Sequence, residues 1–192
     1  KLATGAAWVK QGSWVAAAAL CRVLLDHPNI TTREKVEVQA LVREENHWYA
    51  TLSDGEMLQA ETVIVANAHA ANTLLPVKLP LGITSGQVSL FDAKNAAAIP
   101  QVILCHKGYL VARDDTVLIG ATYDREDLSC TVTAQNHTKN KAEIEHFLPG
   151  FMQADATSGR TSLRATTPDR MPYVGKLAPG LWVSLGHGSR GF

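Results

Sequence analysis

Two rhythms of apolar and polar residues organise this chain. Residues 14–26, WVAAAALCRVLLD, set Trp14, Ala17, Leu20, Cys21, Leu24 and Leu25 at helical spacing. That spacing predicts an amphipathic helix with a buried start. His27-Pro28-Asn29 ends it, because proline disfavours helical geometry in the residue before it. Residues 35–42 (KVEVQALV) and 47–52 (HWYATL) read as strands joined by the polar turn REEN, and Ser53-Asp54-Gly55 closes the second. Residues 61–66, ETVIVA, form a short, nearly all-apolar run, the pattern of a strand buried on both faces.

Beyond Pro76 and Pro80 the period-two pattern dominates. Residues 86–91 (GQVSLF), 101–112 (QVILCHKGYLVA) and 116–122 (TVLIGAT) are strand-like and closely spaced, which predicts an antiparallel sheet. Residues 133–148 form a polar helix with a thin apolar stripe of Ala142, Ile144, Phe147 and Leu148. Lys139, Asn140 and Lys141 read as its solvated face. A last apolar run, LWVSL at 181–185, is one more buried strand. The whole predicts an interrupted α/β lobe with an antiparallel lobe inserted at 73–165.

Composition narrows the function classes. The 192 residues carry 18 Lys+Arg against 18 Asp+Glu, and 46% are hydrophobic. This balance describes a folded chain and removes the strongly basic footprint of a dedicated nucleic-acid binder. No apolar run reaches the roughly 18–20 residues that span a bilayer. Cys21, Cys105 and Cys130 are odd in number and widely spaced, so neither a disulfide scaffold nor a zinc site is expected, and a cytoplasmic setting is. The seven histidines lack ligand spacing, so no metal site is expected. The start at Lys1 and the end at Phe192, just past a glycine cluster, suggest a piece of a longer protein.

That cluster, Gly186, Gly188 and Gly191, spells G-x-G-x-x-G directly after LWVSL. A dinucleotide fingerprint would need a following helix and an acidic residue about 20 positions on. An ordinary glycine-rich turn and a turn that brings a helix N-terminus close to an electron-accepting ring system both remain open.

Five motifs stand in a telling order: TVIVANAHA at 62–70, SGQVSLF at 85–91, CHKGYLVARDDTVLIGATYD at 105–124, SLRATTPDRMPYVG at 162–175 and LWVSLGHGSRGF at 181–192. In this order they resemble the D-amino-acid-oxidase-like flavoproteins. Within that superfamily, ATGAAWVKQGSW near the start and LGHGSRGF at the end most resemble the FAD-dependent oxidoreductase module of the bifunctional enzymes that make 5-methylaminomethyl-2-thiouridine in tRNA. The resemblance runs across essentially the whole chain. It implies a fold of mixed α/β (α+β) class: a partial FAD-binding lobe of the glutathione-reductase-like type, with an inserted antiparallel-sheet substrate lobe. Residues 1–72 and 166–192 would belong to the FAD lobe and 73–165 to the substrate lobe.

The resemblance also implies a cofactor, FAD, and a partner, tRNA, whose wobble uridine would lose a carboxymethyl group as glyoxylate. A SAM-dependent methyltransferase module, fused or separate, would complete the modification. The N-terminal glycine turn that grips the FAD pyrophosphate is not among these residues, and Ser13 stands where the family usually shows glycine. Two rivals stay open: an FAD-dependent oxidase of a free small amine such as glycine or sarcosine, and a non-catalytic module of the same fold.

The implied site residues follow motif by motif. Arg164, in SLRATTPD, would clamp the substrate carboxylate, as a bidentate guanidinium can. Tyr109, in KGYLVA, would donate its hydroxyl to the same carboxylate, or else be a core aromatic. Gln11, with Trp8 and Trp14, would run by the pocket entrance. Gly186, His187, Gly188, Ser189, Arg190 and Gly191 would form the flavin loop, with Gly188 the least tolerant of a side chain and His187 shaping the turn. Val38, Asn67 and Ala68 would lie near the adenosine half, with plain sheet packing an equal reading for Val38. Asp169 and Arg170 read as ordering a turn. No residue is singled out as an acid or base, because hydride transfer asks the protein mainly for positioning.

Overall fold

A computed structural model describes residues 7, 9–99, 101–126 and 128–188. The chain divides into two compact units, residues 1–20 with 85–163 and residues 21–84 with 164–192.

The first unit is built on a sheet of β5 (Gly82–Asp92), β6 (Leu104–Cys105), β7 (Tyr109–Arg113), β8 (Thr116–Gly120) and β9 (Ser158–Thr166), in the order β6-β7-β8-β5-β9, with β6-β7, β7-β8 and β8-β5 antiparallel. The ends of β5 and β9 carry the chain between the units. Alternation along β7 and β8 sends Leu110, Val117 and Ile119 into one core with Phe91, where the helix α2 (Ala134–Phe147) adds Ile144 and Phe147. Thr133 caps α2 by accepting from the Asn136 N–H at 3.2 Å. Beyond the helix, the Glu145 carboxylate accepts from the N–H groups of Gly150 (2.6 Å) and Met152 (3.1 Å), which turns the chain under the core.

The polar face expected of α2 is corrected at Asn140, which is buried. Its amide donates to the Gln87 carbonyl and to Ser89 Oγ, both at 2.9 Å. Gln87 in turn accepts from the Thr133 N–H at 2.8 Å and donates to the Thr133 carbonyl at 3.0 Å. Ser89 Oγ also lies 2.7 Å from His137 Nδ1. Helix and sheet are therefore joined by a satisfied polar network, which a hydrophobic-periodicity argument takes for solvated surface. Lys141 is likewise tied down, donating to the Ala154 carbonyl at 2.9 Å.

The second unit holds two small sheets. β1 (Val38–Glu44), β2 (His47–Leu52) and β3 (Met57–Ala60) form an antiparallel meander. β4 (Val63–Val65), β10 (Tyr173–Ala178) and β11 (Leu181–Leu185) form the other, in the order β10-β11-β4, with β4 and β11 parallel. Trp48, Val65, Ala71, Leu75, Leu181, Val183 and Leu185 make its core. Trp48 is fixed by donating from Nε1 to the Pro179 carbonyl at 3.0 Å. Arg33 holds Glu56 of the loop before β3 through a two-pronged ion pair, and these hydrogen bonds keep the Glu56 carboxyl below its usual range. The contribution of that pair is present at neutral pH and is lost as pH falls through the lowered value.

Two apolar expectations are corrected here. Residues 61–66 are not buried on both faces: Ile64 is 65% exposed while Val65 is buried. The first helix is shorter, α1 (Ala17–Leu25), and buries none of its residues, with Trp14 before it 44% exposed. Its apolar positions have no buried packing among the described residues. Among the described residues no helix is long and apolar enough to cross a membrane.

Candidate functional site

Because β4 and β11 are parallel neighbours, with Val65 opposite Val183, the chain leaves both strands at the same end of the sheet. After β4 it passes through Asn67 and Ala68 into a 3-10 turn over Ala68–Thr73. After β11 it passes through Gly186, His187 and Gly188. Both exits need left-handed backbone: φ is 55° at Ala68, 66° at Gly186 and 55° at Gly188. The carboxyl ends of parallel strands are where open α/β sheets bind nucleotides, since backbone N–H groups there are free to turn toward a ligand.

Local packing shows why these turns carry the residues they do. A Cβ on Gly186 would stand 2.6 Å from Thr167 Cγ2, so this glycine is required by space as well as by φ. At Gly188 the nearest atom to such a Cβ among the described residues is the Gly186 carbonyl at 3.9 Å, and its φ of 55° is the constraint they impose. His187 Nε2 lies 2.9 Å from Ser184 Oγ, which ties the turn back to β11. Ala68 holds a left-handed conformation that costs an L-residue about 1–2 kcal/mol. Ala68→Gly is therefore expected to stabilise the protein by about 0.5–1 kcal/mol after the extra unfolded-state entropy of glycine. A raised denaturation midpoint checks this, and a lowered one would contradict the left-handed turn.

Three buried side-chain atoms have no hydrogen-bond partner among the described residues: His69 Nδ1, Thr84 Oγ1 and Thr167 Oγ1. All belong to the second unit. His69 follows Ala68 in the first turn, and Thr167 packs on Gly186 of the second. Orphaned polar atoms are rare in native proteins, and a missing ligand is one recognised cause. Together with the two left-handed turns, His69 Nδ1 and Thr167 Oγ1 fit a nucleotide-type cofactor such as FAD. None of the three is among the site residues expected from the sequence.

The remaining site expectations are placed as follows. Arg164 lies in β9, exposed, next to buried Ala165, and belongs to the second unit. Tyr109 begins β7 in the first unit, half-buried, paired with Cys105 on one side and Gly120 on the other. A Cβ on Gly108 would meet the Gly120 carbonyl at 2.7 Å, so close strand approach fixes the backbone just before Tyr109. Gln11 is exposed in the segment before α1. Val38 opens β1, 36% exposed. Ser189, Arg190 and Gly191, like Trp8, lie outside the described residues. Asp169 orders its turn by accepting from the Met171 N–H at 3.0 Å, and Arg170 there has φ 61°. Among the described residues no group of three or more His, Cys, Asp or Glu is placed to hold a metal.

The parallel pair and its two turns lie where open α/β sheets bind nucleotides, and comparison with known proteins gives the family. The model of the family described as FAD dependent oxidoreductase (DAO) matches residues 1–192, and the chain belongs to that family. It is 37% identical over 191 residues to the tRNA 5-methylaminomethyl-2-thiouridine biosynthesis bifunctional protein MnmC of Thiobacillus denitrificans, covering 93% of this chain and 31% of that protein. To the MnmC of Idiomarina loihiensis it is 36% identical over 198 residues, covering 100% and 32%. The chain thus spans about a third of the length of the curated relatives it matches. Among solved structures, glycine oxidase from Geobacillus kaustophilus superposes with a TM-score of 0.73 at 24% identity, covering 83% of this chain and 44% of that one. Iminodiacetate oxidase from Chelativorans sp. BNC1 does so with 0.72 at 23%, covering 91% and 49%. Both establish the fold.

Proposed function

We propose that this chain is part of the FAD-dependent oxidoreductase portion of a tRNA-modifying enzyme. That enzyme converts the carboxymethylaminomethyl group on a wobble uridine to aminomethyl and releases glyoxylate. The observation that carries the reading is the match of nearly the whole chain to proteins named for 5-methylaminomethyl-2-thiouridine biosynthesis, at 37% and 36% identity. Their names call them bifunctional, which supports a SAM-dependent methyltransferase activity beside this one.

FAD, when bound, supplies the acceptor for a hydride from the carbon between the secondary amine and the carboxylate. The substrate imine left behind takes up water and divides into glyoxylate and the aminomethyl nucleoside. What this chain contributes is position. Arg164 would hold the substrate carboxylate with a planar pair of N–H donors, and Tyr109 is a substrate-binding candidate in its own unit. Gly186, His187 and Gly188 would hold the flavin through backbone N–H groups, with Ser189, Arg190 and Gly191 as further candidates that lie outside the described residues. Asn67 and Ala68, with Val38, would support the adenosine half, and Gln11 is a substrate-binding candidate in the first unit. No side chain need act as a strong acid or base, since the amine is oxidised in its neutral form and water completes the hydrolysis.

The test is nucleoside analysis of tRNA bearing the carboxymethylaminomethyl group after incubation with the intact FAD-loaded protein. The expected result is the aminomethyl nucleoside with an equal amount of glyoxylate. An unchanged nucleoside would overturn the reading.

A further inference from the structure

Among the described residues the dense network around Gln87, Ser89 and Asn140 is satisfied. Against that background the orphaned atoms of the second unit stand out. Thr167 is 6% exposed, and its methyl group, Cγ2, is the atom that a Cβ on Gly186 would strike. Its backbone is also fixed: the Thr167 carbonyl accepts from the Arg170 N–H at 3.2 Å. The side chain is thus wedged between the turn at 167–170 and the start of the Gly186–Gly188 turn, with its hydroxyl unused. His69 occupies the comparable place on the neighbouring turn, immediately after left-handed Ala68, with Nδ1 buried and unpaired.

We infer that Thr167 and His69 are direct hydrogen-bonding contacts to the flavin cofactor, one behind each of the two turns that leave β11 and β4. This rests on the proposal that the second unit binds FAD. The Thr167 hydroxyl is a donor to the carbonyl-rich edge of the ring system, and His69 Nδ1 bonds a polar group of the same molecule. Neither atom is open to water in this conformation. The contacts form when the glycine turn seats against the cofactor, and the permissive backbone of Gly186 and Gly188 allows that adjustment. A buried hydroxyl without a partner weakens a fold, whereas an apolar isostere at the same place is neutral or favourable. The arrangement therefore makes sense if the hydroxyl is kept for a ligand.

This logic separates a ligand contact from a structural one. Thr167→Val preserves the shape and the methyl group beside Gly186 but removes the hydroxyl. In the intact protein, titrated with FAD by flavin fluorescence and absorbance, Thr167→Val is expected to weaken FAD binding by roughly tenfold, the scale of one lost hydrogen bond. The denaturation midpoint of its apoprotein should stay level or rise. Thr167→Ser, which keeps the hydroxyl, should recover most of the affinity. His69→Leu should weaken binding similarly, and His69→Asn, whose amide reaches the position of Nδ1, should restore part of it. Equal FAD affinity in Thr167→Val and wild type would overturn the inference. So would a loss of affinity matched by an equal loss of apoprotein stability, because the residue would then be structural. A wild-type protein that binds no FAD would overturn the underlying proposal as well, and that result is visible before any variant is made.

Discussion

Gly180→Ala is expected to destabilise the protein by about 1–4 kcal/mol, the sum of a left-handed alanine and an overpacked site less the lower unfolded-state entropy of alanine. Gly180 has φ +70° in the turn between β10 and β11. A Cβ there would run into the Glu61 carbonyl and stand 3.1 Å from Trp48 Nε1. Neither neighbour is free to move. The Gly180 carbonyl accepts from the Val63 N–H at 2.8 Å, which sets the register of β4 against β11. Trp48 is 4% exposed and is anchored to the Pro179 carbonyl. Displacing the turn therefore disturbs the parallel pair whose ends carry the candidate cofactor turns, and flavin content should fall along with stability. Chemical denaturation checks this. A midpoint within experimental error of wild type would show that the turn has room for a side chain.

Arg164→Lys is expected to lower kcat/KM for the proposed tRNA substrate by roughly 10–100-fold while leaving the flavin spectrum and flavin content unchanged. Lysine keeps the positive charge but loses the planar fork that fixes a carboxylate in two places, and that geometry is what in-line hydride transfer needs. The loss corresponds to about 1.4–2.8 kcal/mol of transition-state binding. Arg164→Met, which also removes the charge, should lose more. Unchanged kinetics in the lysine variant would remove Arg164 from the carboxylate site. A loss of flavin in parallel would reassign it to holding the β9 end of the second unit.

Strongly periodic or continuous apolar segments were legible in the sequence. The runs around β2, β4, β8 and β11 are short, apolar and bounded by turn residues, and each became a strand. The helix at 133–148 followed from spacing, and α2 ends at Phe147 with Ile144 and Phe147 in the core. What was not legible has physical reasons. β9, SGRTSLRAT, carries two arginines and few apolar residues, because its buried positions include Thr161, whose hydroxyl is satisfied by Gln87 and Thr131. β3 is four residues long and mostly exposed. β10 is interrupted by Gly175 and Lys176. Asn140 was misplaced because a buried amide with both protons used looks the same in sequence as a solvated one. In α1 the error ran the other way, since apolar spacing implies burial that the described residues do not supply.

The candidate site was legible only in part. The glycines after β11 and the Asn67-Ala68 pair could be read from their motifs, but their adjacency depends on the parallel pairing of β4 with β11 across more than a hundred residues of chain. His69 and Thr167 carried no signal of their own. A lone histidine and a threonine before proline become informative only when burial without a partner is seen.

The most direct test of the central claim is the visible absorbance of the intact flavin-loaded protein, recorded without oxygen while substrate is added. Addition of tRNA carrying the carboxymethylaminomethyl group should bleach the oxidised-flavin band, and glycine or sarcosine should not. Bleaching by glycine or sarcosine with none by the tRNA would contradict the proposed substrate and make the protein an oxidase of free amines. A protein purified intact that neither carries nor takes up flavin would contradict the account at its root.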